Sequence, residues 1–151
     1  MRVLTVRQPW AWAIVHGGKD VENRSRNIAG SYRGPVAIHA GKELDAPAWE
    51  SPIVGLGFRR ACRASTTFDE LRRFCDNATT FGAVIGVVDL TGVHGPASSR
   101  CCGSPWAEEG TMHLLVENPR PLRTPVPARG MLGLWRPDAD LEHAIREQLP
   151  T

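Results

Sequence analysis

The sequence predicts an α+β fold: a small, partly open mixed β-barrel with helices against it. This prediction depends on five or six short strand-like segments, a helix directly after the first of them, and the lack of strict β-α-β alternation. A helical insertion is expected at about residues 43–80, and a C-terminal helix at about 138–149. We expect residues 1–151 to form a single domain, because the insertion is too small to own a hydrophobic core.

The first strand and the first helix are the clearest elements. Residues 2–7 alternate between two faces, which is typical of a strand. Pro9 suits a helix start, and Trp10 and Ile14 share one face of that helix. Gly17 and Gly18 end the helix. Because the helix is almost wholly apolar, it is predicted to be buried against the sheet.

The remaining elements follow from shorter patterns. Strands are predicted in DVENRS, in the VAIHA that follows a turn, and in FGAVIGVVDLTGVH, MHLLVENPRPL and GMLGLW. Residues 45–57 are predicted to be a loop. Thr67 and Glu70 form a capping box that predicts a helix over 67–78. The long polar segment 94–110 is interpreted as a functional loop. In the C-terminal helix, Leu141, Ile145 and Leu149 share a face, and Glu142 pairs with Arg146.

Composition excludes several functional classes. The chain is 42% hydrophobic and 23% charged, so neither a disordered nor a membrane protein is indicated. The first ten residues have no signal-peptide core, and a cytoplasmic protein is expected. A net charge of +2 does not indicate a general nucleic-acid binder, so any such role requires a local basic patch. The segment RRACR (residues 59–63) is one candidate patch, although a solvated helix face is the favoured interpretation.

No cofactor and no metal is expected. The common phosphate, dinucleotide, serine-hydrolase and zinc-protease motifs are all missing from the sequence. A zinc site can be written from Cys101, Cys102 and His113, but adjacent cysteines do not easily point at one tetrahedral ion. Reduced thiols are therefore the expectation for the four cysteines.

The charged segment GGKDVENRSRN (residues 17–27) has two interpretations. Charge runs are usually solvated, so composition alone favours a surface turn and the exposed face of an edge strand. The segment nevertheless follows a helix that must be buried. In an extended chain Glu22 and Arg24 share a face, and a carboxylate beside a guanidinium is held ionised and oriented. A nearby Lys19 would then bind an anionic or carbonyl oxygen.

Three further side chains have open roles. His39 and His113 lie on predicted strands, where a histidine is more often structural than catalytic. Trp106 lies in the long loop, where it either plugs the mouth of the barrel or stacks on a ligand. Trp10, at the start of the first helix, is a candidate for a pocket rim.

Taken together, LTVRQPWAWAIVHGGKDVENRS, YRGPVAIHAGK, GAVIGVVDLTGV, HLLVENPRPL and GMLGLW resemble the ASCH domain family of the PUA-like superfamily. The resemblance covers about residues 2–135 and leaves out the helical insertion and the C-terminal helix. It implies a PUA-like barrel with a cleft beside the first helix. The partners that it implies are RNA, single-stranded nucleic acid or a modified nucleoside, and no membrane.

The resemblance also implies a set of ligand-binding residues. The motif lysine, glutamate and arginine correspond to Lys19, Glu22 and Arg24. The helix start and the strand wall of the cleft contribute Gln8, Pro9, Trp10 and His39. Trp106 and His113, singled out above by their positions in the long loop and on a strand, complete the predicted ligand-binding set.

An enzymatic alternative follows from related proteins. Small bacterial members of the superfamily hydrolyse the amide of N4-acetylcytidine with a lysine, a threonine three residues later and a glutamate. Lys19 matches that lysine, but Glu22 stands at the threonine position, and only Glu108 and Glu109 are candidates for the glutamate. In a hydrolase Lys19 would be the general base and Glu22 the proton shuttle. Other members are reported as ribonucleases. The prediction is a binding domain, with amidohydrolase or ribonuclease activity as the alternative.

Overall fold

One curled mixed sheet organises the molecule. A computed structural model describes residues 1–64, 67, 69, 75–96 and 103–150, and within these six strands pair in the order β2-β5-β4-β3-β1-β6. Strands β1 and β3 are parallel, and all other neighbours are antiparallel. The strands are β1 (Arg2–Gln8), β2 (Val21–Arg24), β3 (Gly34–Leu44), β4 (Ala83–His94), β5 (Met112–Pro127) and β6 (Leu134–Trp135).

Helices cover both faces of this sheet. They are α1 (Trp10–Val15), α2 (Ala46–Trp49), α3 (Pro52–Ala64) and α4 (Ala139–Gln148), and residues 75–78 are also helical. Within the described ranges no helix is both long and apolar enough to cross a membrane. The predicted α+β half-barrel, with a helix after the first strand, a helical insertion and a C-terminal helix, is confirmed.

Helix α1 lies inside the curl of the sheet. Residues 11–15 are all buried, and Ile14 belongs to the same core as Leu4 of β1, Ile38 of β3 and Leu114 of β5. The predicted burial of this helix is therefore confirmed. Pro9 precedes the helix by one residue as its N-cap. The N-terminal end of α1 thus lies beside the end of β1, and the candidate site is located there.

The outer face of the sheet carries a second core. Val3 and Ala37 alternate with the inward-facing residues of their strands, and they pack with α4. Helix α4 begins at the predicted place, because the Asp138 carboxylate accepts a hydrogen bond from the Leu141 amide at 2.8 Å. The predicted apolar stripe of Leu141, Ile145 and Leu149 contacts this core, and the Glu142–Arg146 ion pair forms at 2.6 Å.

The prediction of a loop over residues 45–57 is wrong. That segment forms α2 and the first half of α3. Helix α3 packs against α1 through Phe58 and Trp12, whose ring centroids lie 5.2 Å apart. Its glycines suggest a loop in the sequence, but Gly57 serves a close helix contact instead. A Cβ atom at Gly57 would lie 2.7 Å from the backbone oxygen of Gly17. Helix α3 can approach the end of α1 this closely only because Gly57 has no side chain.

Two other boundaries differ from prediction. The last strand is limited to Leu134–Trp135, because the chain turns at Gly133 with φ of 72°. Strand β5 is longer than expected and continues to Pro127. Glu70 of the predicted capping box lies outside the described residues, as do residues 68 and 71–74 of the helix predicted at 67–78.

Substitutions at the two glycines of α3 should have opposite effects. A methyl group at Gly57 would meet backbone that cannot rotate away, so Gly57→Ala should lower the free energy of unfolding by about 1–3 kcal/mol. The matched control is Gly55→Ala, whose added methyl would meet only the flexible Arg59 guanidinium at 3.6 Å. It should raise stability by about 0.5–1 kcal/mol through helix propensity. Urea denaturation measures both, and equal shifts would disprove the close contact.

Candidate ligand-binding cleft

A cleft of about 710 Å³ opens beside the start of α1. Its walls are residues 5–7 of β1, 22–24 of β2 and 41–43 of β3, together with Trp10 and His39. Residues 128–133, which connect β5 to β6, form one edge; we call them the cleft lip. The volume falls in the range of small-molecule sites in proteins.

The three charged side chains that the sequence singled out lie together at the floor of the cleft, and two of them, Glu22 and Arg24, line it. One carboxylate oxygen of Glu22 lies 3.0 Å from the Lys19 ammonium, and the other lies 3.1 Å from the Arg24 guanidinium. Arg24 also donates to the backbone oxygen of Thr5 at 2.9 Å. We call Lys19, Glu22 and Arg24 the Glu22 cluster. Of the two interpretations of this segment, the solvated surface turn does not match the burial of Lys19 and Glu22.

Local backbone geometry puts these groups together. Glu22 and Arg24 alternate with Asn23 along β2, so both side chains emerge on the cleft side of the strand. Gly18, with φ of 76°, turns the chain so that the Lys19 amide donates to Ala13 at 2.9 Å. The Lys19 side chain then runs behind β2, where its ammonium donates to the backbone oxygen of Val21 and to Glu22.

The members of the Glu22 cluster differ in their access to the cleft. Glu22 and Arg24 line it, and the Arg24 side chain is 28% exposed. Lys19 is only 3% exposed, does not line the cleft, and has its ammonium 5.8 Å from the Trp10 ring centroid. Lys19 therefore supports Glu22 from behind, and the cleft presents a carboxylate beside a guanidinium.

His39 forms part of the wall and is neutral there. Its Nε2 lies 3.0 Å from the Ala128 carbonyl, and because a carbonyl only accepts, Nε2 carries the proton. Nδ1 is then an unprotonated acceptor, buried and without a hydrogen-bond partner among the described residues. Burial lowers the pKa of His39 below its usual value, which favours the neutral ring. Gly130 of the cleft lip lies directly over this ring, since a Cβ atom there would be 2.8 Å from Cε1.

Positive charge gathers around the cleft. Arg7, Lys42 and Arg129 line it together with Arg24, against the carboxylates of Glu22 and Glu43. The Arg7–Glu43 ion pair, at 2.5 Å, is largely solvated because its side chains are 64% and 71% exposed. Lys42 of β3 and Arg129 of the cleft lip add further cationic charge to the cleft. These cations form a local basic patch of the kind that nucleic-acid binding would require in a chain of such modest net charge.

The sequence interpretation missed Arg7, Lys42 and the whole cleft lip. Lys42 could have been predicted from the sequence, because it follows the strand that contains His39 after one glycine and directly precedes the predicted insertion. The signal for the cleft lip was weaker. Glycines at 130 and 133 indicate a turn, but no local pattern shows that this turn reaches a strand near residue 39.

Besides Lys19, four of the predicted ligand-binding residues do not line the cleft. Gln8 is fully buried: its side-chain oxygen accepts from the Trp12 amide at 3.0 Å, and its amide donates to residues 77 and 80. Pro9 caps α1 beside it. Trp106 meets the edge of Trp10 with ring centroids 6.5 Å apart, and neither it nor the fully buried His113 lines the cleft.

Trp106 and His113 belong instead to the contacts that hold residues 106–108 against β2 and β5. Asn23 donates to the Trp106 carbonyl at 2.8 Å, and its side-chain oxygen accepts from the Glu108 amide at 3.1 Å. His113 Nε2 contacts the Glu108 carbonyl at 2.8 Å. Glu108 and Glu109, the candidates for a hydrolase glutamate, do not line the cleft.

The zinc site written from Cys101, Cys102 and His113 includes two residues outside the described part of the chain. Among the described residues no group of three or more histidine, cysteine or acidic side chains is placed to hold a metal ion.

The family model of the ASCH domain matches residues 4–118. That span contains most of β1, all of α1, the Glu22 cluster and His39, whereas the cleft lip and α4 lie beyond it. No curated protein matches the chain.

The buried part of the Glu22 cluster should be strongly coupled to stability. Glu22→Gln leaves the Lys19 ammonium buried without a carboxylate, so the free energy of unfolding should fall by about 3 kcal/mol. Adding Lys19→Met to that variant should restore part of the loss, because the unpaired cation is removed. The matched control is Glu43→Gln, whose solvated pair with Arg7 should leave stability nearly unchanged. Urea denaturation gives all the values; similar losses for Glu22→Gln and Glu43→Gln would contradict this account.

Proposed function

The chain belongs to the ASCH domain family, and from this premise we propose that the cleft binds RNA or a nucleotide-derived ligand through the Glu22 cluster. The family is associated with nucleic acids in general terms. The finer assignment, to this cleft and these residues, is supported by the paired carboxylate and guanidinium at its floor.

The observation that best supports this proposal is the pair of contacts that hold the Glu22 carboxylate. Each oxygen already has one cationic partner, and each keeps a second lone pair. A carboxylate positioned in this way accepts hydrogen bonds from the amino and imino N–H groups of a nucleobase. The neighbouring Arg24 guanidinium supplies donors for a ring nitrogen or carbonyl oxygen of the same base. A base that enters the cleft can thus satisfy both partners along one edge.

The rest of the cleft fits the other parts of a nucleotide. Arg7, Lys42 and Arg129 suit phosphate oxygens, since phosphate contacts contribute most of the affinity of such interfaces. Trp10 adds an aromatic wall whose Nε1 is fixed by a 2.9 Å hydrogen bond to the Asp45 carboxylate. Aromatic surfaces of this kind accept bases with little sequence preference.

Geometry favours binding over amide hydrolysis. A lysine that acts as general base needs a free lone pair within reach of the water or substrate. The Lys19 ammonium instead donates to Val21 and Glu22, and it is shielded from the cleft. Glu22 is itself engaged by two cations, which opposes a role as proton shuttle. The amidohydrolase alternative therefore has less support than a binding domain.

The salt dependence of RNA binding tests the proposal. Each phosphate contact made by one cation contributes about 0.7 to the slope of log K against log salt for a single strand. Lys42→Ala and Arg129→Ala should each reduce that slope by about this amount. The measurement is anisotropy of a fluorescein-labelled RNA octamer over a salt series. The matched control is Arg146→Ala, which removes an exposed arginine on α4, on the outer face of the sheet.

Two results would count against this function. If Arg146→Ala changed the slope as much as Lys42→Ala, binding would follow overall charge and not the cleft. If the protein released cytidine from N4-acetylcytidine, and Lys19→Ala abolished that release while the protein stayed folded, the hydrolase alternative would replace it.

A further inference from the structure

We propose that the ligand is a base within an RNA strand, and that Leu132 of the cleft lip covers the neighbouring base when the first one turns into the cleft. This inference rests on the proposed function and deepens it, since a free nucleoside has no neighbouring base to cover.

The first observation is the exposure of Leu132. Its exposure is 96%, and that of the adjacent Met131 is 49%. Single exposed apolar residues are common on protein surfaces and need no explanation by themselves. These two, however, are consecutive, and both line the cleft. An apolar tip therefore stands at the entrance of a site whose floor is charged.

The second observation is that this exposed tip is firmly held. At its start, Ala128 accepts from His39 at 3.0 Å and donates its amide to Gly82 at 3.0 Å. Gly130 lies against the His39 ring with no space for a side chain. Beyond the tip, Trp135 donates to the Thr5 hydroxyl at 3.3 Å. Since the lip is anchored at both ends, presenting Leu132 to a ligand requires little additional ordering, which favours binding.

The third observation is the position of positive charge around the tip. Arg129 belongs to the cleft lip, and Lys42 lies on the β3 wall. A free nucleoside offers no phosphate to either side chain. A strand that passes the cleft brings a phosphate on each side of the bound nucleotide, so charge complementarity favours a strand.

A base turned into a protein pocket leaves the face of its neighbour uncovered. The loss of stacking costs free energy, and proteins offset it by inserting apolar side chains such as leucine or methionine at the vacated position. Leu132 is the described side chain that meets the requirements of this role: apolar, fully presented and next to the cleft.

Comparison of a strand with mononucleotides tests this inference. Leu132→Ala should weaken binding of the labelled RNA octamer about fivefold, the effect of leaving roughly half a leucine side chain unburied. The salt slope should stay the same, because the lost contact is apolar. Affinity for the ribonucleoside monophosphates, measured by competition, should change by less than about twofold, since that difference needs only a few tenths of a kcal/mol. Leu56→Ala, which removes a half-exposed leucine from α3, is the matched control and should change neither.

The outcomes separate the two proposals. Octamer binding that Leu132→Ala leaves unchanged, or a loss shared equally by octamer and mononucleotides, overturns the role of Leu132 and leaves the proposed function standing. A wild-type protein that binds neither the octamer nor any mononucleotide at low salt overturns the proposed function, and this inference with it.

Discussion

The ion pair between Glu22 and Arg24 lies where the two ends of the sheet meet. Strand β2 is at one end of the strand order, while β1 and β6 are at the other. Arg24 crosses that opening to the backbone of Thr5, and the Thr5 hydroxyl in turn accepts from Trp135 of β6. One carboxylate thus orients the guanidinium that joins β2 to β1, and the cleft exists because the sheet is joined there without being closed by backbone pairing.

This arrangement explains why charged groups occupy a buried position. Removing Lys19 and Glu22 from water is costly, and apolar side chains of similar size are often at least as stabilising as a buried ion pair. Stability alone therefore does not account for the cluster. A ligand that carries both N–H donors and oxygen acceptors does account for it, because such a ligand needs a fixed acceptor beside a fixed donor. Lys19 then has the indirect role of holding the acceptor in place through its 3.0 Å contact with Glu22.

The sequence predicted those features that depend on local patterns. Alternation along β1 and β3 gave the inner and outer faces, and the same rule placed Glu22 and Arg24 on one side of β2. The family resemblance added the cleft beside α1. Contacts between distant residues were beyond local patterns: Gly57 was interpreted as part of a loop because its partner, Gly17, lies in another element. The cleft lip was missed for the same reason, since Ala128 and His39 are 89 residues apart. Gln8 was assigned to the ligand from the family motif and Trp106 from its position in the long loop, but neither lines the cleft.

The central claim is that the Glu22 cluster forms the floor of a site that holds RNA. Titration of ¹⁵N-labelled protein with an RNA octamer, followed by the backbone amide resonances, tests it most directly. This account predicts that the largest shifts fall on residues 5–7, 22–24 and 41–43 and on the cleft lip, with little change along α4. Shifts confined to the basic face of α3, with the resonances of Glu22 and Arg24 unmoved at saturation, would contradict it.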